Sequence, residues 1–477
     1  MPTKKKLLIF IPDGVGIKNY LLSDFIHYCC EAFDVILAHN FNTAIHEEIN
    51  TPKGNYKTVN IPAYSESLKH KLLRESICFA RLQHNSKLKA NPSIMVNWRR
   101  NYKHFFKNVF YKCAEVYGNY LSKSYTRIQN KTSLYHRNIK YSSSIRDFKN
   151  LLKKVSPDIV MTTHQRALHN IPLFAAAKAL NITSVSVIYS WDNMPKARIP
   201  YFSDYFFVWS DFMKKEFDAY YPEIEDEKVI VTGTPQFEFY LDESFIESRA
   251  TFFKKHQLDP NKVLICYSGD DTLTSPFDAD YLRDMATQFS KVEKNKRPQI
   301  ILRPSPADSG NRFQYVLKQF PEISYAPADW YEDDDSAHWA VKFPKKNDIK
   351  QLVNLAFHAD AVVNLGSTMA HDFAMFEKPA FYVNYMPQPS EQSPKSLHAK
   401  NWSVKTIYEY QHFKSMGELN PVYWINSKAD FDTIPGIIAK RDTANKRDQK
   451  LWRNKIIGEY NYKNASEKLV EELVKLS

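Results

Sequence analysis

Lys6-Leu7-Leu8-Ile9-Phe10-Ile11, followed by Pro12-Asp13-Gly14-Val15-Gly16, is the stretch that decides the fold. Basic residues and a short apolar run at the N-terminus imitate a signal peptide. The run stops far short of the ~18 residues a membrane span needs, and it ends in a Pro-Asp-Gly turn, so it reads as a buried strand. An apolar-periodic segment runs on through Phe33, and Asp34-Val35-Ile36-Leu37-Ala38 supplies a second strand. Strand, turn, helix and strand in that order begin a parallel α/β domain.

Outward from this opening, the same rhythm continues with one interruption. It resumes at Pro157–Met161, Ser184–Ile188, Tyr205–Trp209 and Val229–Thr232, then restarts at Val263–Tyr267, Gln299–Leu302, Ala361–Asn364 and Ala380–Val383. Apolar runs of this length suit strands buried on both faces of doubly wound sheets. A chain of 477 residues exceeds one hydrophobic core. The expected organisation is a Rossmann-like domain over 1–236, a second over 237–440, and helical residues 441–477 packing back across the cleft. Only 11 glycines are present, yet Gly14, Gly16, Gly233, Gly269 and Gly366 all follow predicted strands, where open α/β sheets bind ligands.

The interruption, 65–150, is basic and helix-like. It holds 18 Lys and Arg against Glu66, Glu75, Glu115 and Asp147, a balance of +14 in a chain whose net charge is +12. Trp98, Tyr102, Phe105, Phe106 and Phe110 are threaded among Arg99, Arg100, Lys103 and Lys107. No signature of a nucleic-acid-binding module accompanies them, so nucleic acid is not the expected partner. Basic and aromatic residues on helices suit an anionic membrane surface, and an ordinary solvated helical face is the plainer alternative. Five cysteines without a CxxC pair fit a reducing cytoplasm. Scattered histidines give no metal-ligand spacing, so no metal is expected.

The sharpest motif is Asn364-Leu365-Gly366-Ser367-Thr368-Met369-Ala370-His371-Asp372, running on to Lys378-Pro379. Its Gly-Ser-Thr turn opens a helix whose N-terminus favours an anion such as a diphosphate; Ser367 or Thr368 also reads as a simple N-cap. Arg303, in Arg303-Pro304-Ser305-Pro306, lies at a strand end and is a candidate to neutralise the same phosphates. This run resembles the donor-phosphate segment of GT-B glycosyltransferases of bacterial surface-polysaccharide pathways. Related patterns occur in CDP-glycerol glycerophosphotransferases and non-hydrolysing UDP-N-acetylglucosamine 2-epimerases. Ser190-Trp191-Asp192-Asn193 and Gly233-Thr234-Pro235-Gln236-Phe237 resemble further elements of these transferases, and Ser305 stands where their Arg-Pro-His-Pro turn carries histidine. The resemblance covers about 155–415 and leaves 65–150 without a counterpart.

It implies a GT-B fold, two Rossmann-like domains with the basic helical insert in the first. The activity it implies is metal-independent transfer of a sugar from a nucleotide-sugar donor to a glycan or lipid-linked acceptor. The enzyme would act from the cytoplasm, peripheral on the inner face of the membrane. Donor-binding candidates are Gly269, Asp270, Arg303, Gly366, Ser367, Thr368 and Asp372. Acceptor-side candidates are Gly14, Gly16, Trp191 and Asn193. Three residues compete for the general base: Asp192, placed first because Trp191 beside it offers a stacking face for a sugar, then Asp13 and His164. Asp333-Asp334-Asp335 and Asp278-Ala279-Asp280 look like metal-binding DxD motifs but read as acidic solvated loops. A polyol-phosphate transferase, a nucleotide-sugar 2-epimerase and a catalytically silent binding protein are the competing readings.

Overall fold

In the computed structural model, which describes residues 4–98, 104–308, 311–331, 342–459 and 461–477, Lys6–Phe10 forms strand β1. Leu7, Leu8, Ile9 and Phe10 are fully buried, as an uninterrupted apolar run requires. β2 (Asp34–Ala38) pairs with β1 in parallel, Leu8 opposite Ile36. β3 (Tyr56–Val59) edges the sheet beyond β2. On the other side of β1 come β4 (Ile159–Thr162), β5 (Thr183–Val187), β6 (Tyr205–Val208) and β7 (Val229–Val231). The order is β3-β2-β1-β4-β5-β6-β7. The direction of winding reverses between β1 and β4, and ligands bind at such a switch point, outside the carboxyl ends of the strands.

A second, separate sheet contains β8 (Leu264–Ser268), β9 (Gln299–Arg303) and β10 (Ser324–Tyr325). Trp330–Tyr331 (β11) and Phe343–Pro344 (β12) form a small antiparallel pair outside it. β13 (Ala361–Asn364), β14 (Ala380–Val383) and β15 (Tyr423–Ile425) complete the order β10-β9-β8-β13-β14-β15. Its switch point lies between β8 and β13.

The chain divides into two compact units. One comprises 1–236, 410–412 and 455–477, the other 237–409 and 413–454. The helix Ala465–Leu476 packs against Phe25–Ala32 within the first unit.

The basic segment is not an appendage. Helices Leu68–Leu88, Phe105–Leu121, Tyr125–Lys140 and Arg146–Val155 place Ile77, Leu121, Ile128, Tyr135, Ile139 and Phe148 in one core with Leu8, Phe10 and Ile36. They cover a face of the first sheet. Two of the segment's four acids are internal: Glu66 and Glu75 both pair with Arg74, at 2.8 and 2.7 Å. Arg99, Arg100, Tyr102 and Lys103 lie outside the described residues.

Candidate functional site

In the first unit, two loops meet because their strands are neighbours. β1 and β4 pair with Phe10 opposite Thr162, so Asp13 and His164 leave the sheet side by side at the switch point. Asp13 Oδ2 lies 2.6 Å from His164 Nδ1. Asp13 Oδ1 accepts from the Val15 N–H at 3.1 Å, capping the short helical turn Gly14–Gly16. The cap and the histidine pair thus use different oxygens of one carboxylate.

A carboxylate at this distance accepts a hydrogen bond from an Nδ1–H, the tautomer that leaves the lone pair on Nε2. His164 Nε2 is buried and has no hydrogen-bond partner among the described residues. The ring stands edge-on to Tyr189 at 4.5 Å, and the Tyr189 hydroxyl accepts from Arg166 at 3.2 Å. Tyr189 and Arg166 were not singled out in the sequence, where nothing local marks them.

Gly14 and Gly16 are buried, Gly16 beneath the loop after β4. A Cβ on Gly16 would lie 2.4 Å from Thr163 Cβ and 2.9 Å from the Thr163 carbonyl. Glycine at this position is what lets the loop after β4 approach closely enough for His164 to reach Asp13.

Asp192 does not fit the part of base. Lys196 and Ser190 donate to its two oxygens, at 2.5 and 2.8 Å. Burial works against its charge, but Lys196 and His412 outweigh burial and hold the carboxyl well below the usual range. A carboxylate so strongly stabilised is a weak proton acceptor. Trp191 is buried edge-on against His412 at 4.9 Å, so it offers no exposed stacking face. Asn193 is buried too, accepting from Gln165 at 2.9 Å and donating to Asp192 at 2.9 Å. The Ser-Trp-Asp-Asn element is an internal brace.

In the second unit, the loops after β8 and β13 come from adjacent strands, Tyr267 opposite Val363. Gly269 and Asp270 therefore emerge at the same switch point as Gly366, Ser367 and Thr368. Gly366 has φ +79, and a Cβ there would sit 2.5 Å from the Phe413 ring, so the turn is built for glycine. The anion cradle is reduced, however. Asn364 Oδ1 accepts from both the Gly366 and Ser367 N–H groups at 3.0 Å. The helix that follows, Met369–Ala374, has only six residues. Asn364 is the residue missed here, a strand-end amide aimed at the next turn.

Arg303 is not directed at a ligand. Its guanidinium grips Asp348 with contacts of 2.7 and 3.0 Å and donates to the Pro327 carbonyl at 3.0 Å, all inside the unit. Asp372 is buried and accepts from the Tyr240 hydroxyl at 2.8 Å. Both side chains make these contacts within the second unit.

Asp278 and Asp280 are likewise not a solvated loop. Both are buried at the start of the helix Asp278–Ser290. Asp278 accepts from Ser275, Tyr267 and Arg312, at 2.5, 3.1 and 3.2 Å. Asp280 accepts from Ser393 and Arg283, at 2.6 and 3.0 Å. Asp333-Asp334-Asp335 lies outside the described residues. Arg312 also donates to the Asp270 and Ser275 carbonyls, fixing the loop from within. Burial, with Asp278 and Asp271 beside it, pushes the Asp270 carboxyl well above its ordinary range. A protonated carboxyl tolerates an anionic neighbour and donates a hydrogen bond to it. A cavity of about 520 Å³ lined by Arg249, His358 and Lys378 lies near the amino ends of β13 and β14, away from this switch point.

No protein-family model matches the chain, and no curated protein matches its sequence. Solved structures match it in fold. One is the UDP-GlcNAc 2-epimerase from Methanocaldococcus jannaschii, with TM-score 0.52 and 13 % identity over 98 % of this chain and 99 % of that one. Another is a glycosyltransferase from Rickettsia africae ESF-5, with TM-score 0.51 and 11 % identity over 99 % of this chain and 98 % of that one. At such identities the likeness establishes the fold, two Rossmann-like units of the GT-B class. Chemistry has to be argued from the residues.

Proposed function

We propose that the protein is a glycosyltransferase, moving a sugar from a nucleotide-sugar donor to a hydroxyl of a glycan or lipid-linked acceptor at the cytoplasmic face of a membrane. The observation that carries this reading is the Asp13–His164 pair at a switch point, with His164 Nε2 unpartnered among the described residues. In this reading Nε2 removes the acceptor hydroxyl proton as the oxygen attacks the anomeric carbon. The carbon–oxygen bond to the nucleoside diphosphate breaks, and that group leaves with the electron pair. Asp13 steadies the imidazolium that forms. Direct displacement inverts the anomeric centre.

The donor rests at the other switch point, against Gly269, Asp270, Gly366, Ser367 and Thr368. The Ser367 and Thr368 hydroxyls donate to the diphosphate, Asp270 lies beside them, and the transfer proceeds without a bound metal. The test is incubation of the purified protein with a panel of nucleotide sugars and candidate acceptors, with and without chelator. Acceptor-dependent release of free nucleotide, indifferent to chelator, supports the reading. A sugar altered while still attached to its nucleotide makes the protein an epimerase. Turnover of CDP-glycerol alone makes it a polyol-phosphate transferase. Binding without turnover of any donor overturns the catalytic reading.

A further inference from the structure

The helix Phe105–Leu121 is apolar on the wrong side for a soluble surface. Its inner face is settled: Ala114, Gly118 and Leu121 are buried, and a Cβ on Gly118 would lie 2.8 Å from the Ser76 carbonyl of the helix Leu68–Leu88. The opposite face carries Phe105 (74 % exposed), Phe106 (84 %), Val109 (43 %), Val116 (72 %) and Tyr120 (51 %), with exposed Cys113 among them. At 3.6 residues per turn, positions 105, 109, 113, 116 and 120 form one stripe. Stripe residues of an amphipathic helix normally face a core; these face outward.

Exposed cations lie near the stripe: Lys112 on the helix, and Lys123 and Arg127 just beyond its end. Acid is scarce within the segment itself. Glu66 and Glu75 are consumed in pairs with Arg74, and Glu115 accepts from the Trp98 indole at 2.8 Å, which leaves Asp147 as the exposed carboxylate of the segment. An apolar ridge rimmed by one sign of charge is complementary to lipid tails beneath anionic headgroups. The core of a protein interface, in contrast, is depleted of lysine. Among the described residues no helix is long and apolar enough to cross a membrane.

We infer that the outward face of Phe105–Leu121 inserts in the plane of an anionic bilayer, with the aromatic and valine side chains below the headgroups and the cations among them. The proposal deepens the membrane-proximal reading above and rests on it for the acceptor's location. It replaces attraction by the whole basic segment with a defined ridge, and that changes the expected salt response. Charge attraction fades as the Debye length falls to ~3 Å at 1 M salt, whereas apolar insertion is not screened.

The test is flotation with vesicles of phosphatidylcholine and phosphatidylglycerol in equal parts, at low and high salt. Wild-type protein floats at low salt and keeps a measurable fraction bound at high salt. The variant Phe105→Ser/Phe106→Ser/Val116→Ser, altered only at exposed positions, loses about 100-fold or more in vesicle affinity while retaining donor binding and its thermal midpoint. In a Cys30→Ser background, an environment-sensitive fluorophore on Cys113 shifts to the blue when vesicles are added. Two outcomes overturn the inference: vesicle binding that survives the triple substitution, or no vesicle binding by wild-type protein. If the latter comes with a dimer that the triple substitution dissolves, the ridge belongs to a second copy of the chain. Vesicle binding needs no sugar transfer, so a vesicle-binding protein that releases no nucleotide keeps this inference and loses the catalytic one.

Discussion

Asp13 Oδ2 and His164 Nδ1 stand 2.6 Å apart, although 151 residues separate them in the chain. The contact exists because β4 pairs directly with β1 and because Gly16 leaves room for Thr163. Asp13→Asn keeps an oxygen to cap the Val15 N–H but no longer fixes the His164 tautomer. Turnover should fall by about 10²–10⁴-fold, and His164→Ala should fall at least as far. Donor affinity, measured by calorimetry, should stay within a factor of two or three of wild type (roughly 0.5 kcal/mol). Near-normal turnover in both variants removes the pair from catalysis.

Asp192→Asn should behave differently. Its carboxylate is held ionised by Lys196 and already acts as a brace, so turnover should drop less than about tenfold, near the 1.4 kcal/mol scale of a lost structural contact. The thermal midpoint should drop with it. A collapse in turnover with unchanged stability would return Asp192 to the chemistry.

Arg303→Ala should destabilise the second unit. Removing the guanidinium strands Asp348, a buried carboxylate that also accepts from the Asp329 N–H at 2.8 Å and the Trp330 indole at 2.9 Å. Breaking one side of a buried pair costs about 3–5 kcal/mol. Urea denaturation should show a loss on this scale. A variant that unfolds like wild type but binds donor poorly would restore Arg303 to the phosphate site.

Glu216, on the helix Asp211–Tyr220, gives a pH-dependent prediction. It is buried with Oε2 lacking a hydrogen-bond partner among the described residues. Burial pushes its carboxyl up to about 8 from 4.5, with Lys89 and Lys455 opposing and Asp192 adding to the rise. The folded state therefore holds a proton that the unfolded chain has released. This contribution to stability is complete below about pH 4.5 and is lost as pH rises to about 8, a change on the order of 5 kcal/mol. Glu216→Gln should be close to neutral at pH 5 and stabilising at pH 8, read from thermal midpoints. Equal shifts at both values would show that Glu216 is ionised in the folded protein.

The strands of both sheets' centres were legible because burial on two faces demands unbroken apolar runs, as at Leu7–Phe10 and Ala361–Asn364. Three of the four edge strands were not. β3 is partly solvated with polar Lys57 and Thr58 in it, β15 is only three residues long and partly solvated, and β10 is two residues long. Asp13 and His164 were each legible as strand-end residues, but their pairing depends on which strand lies beside β1, and no local pattern encodes that order. The same limit hid the partner of Arg303, Asp348, which sits 45 residues away on the helix Lys346–His358. The setting of Trp191 was hidden for a different reason. An aromatic beside an acid looks the same whether the loop faces outward or, as here, is tucked against His412.

The first unit is closed by residues that are made after the whole of the second. Residues 455–477 belong to it, and the helix Ala465–Leu476 covers Phe25–Ala32, whose Phe25, Ile26 and Cys29 are buried in the finished protein. During synthesis at ~5–20 residues per second, the roughly 220 residues between Gln236 and Lys455 take on the order of 10–45 s. The second unit has nearly all its own sequence before the first has its closing helix. Through that interval the helix Phe25–Ala32 lacks the partner it packs against in the finished protein. Removing residues 455–477 strikes the unit that holds the Asp13–His164 pair and leaves every residue of the other unit in place.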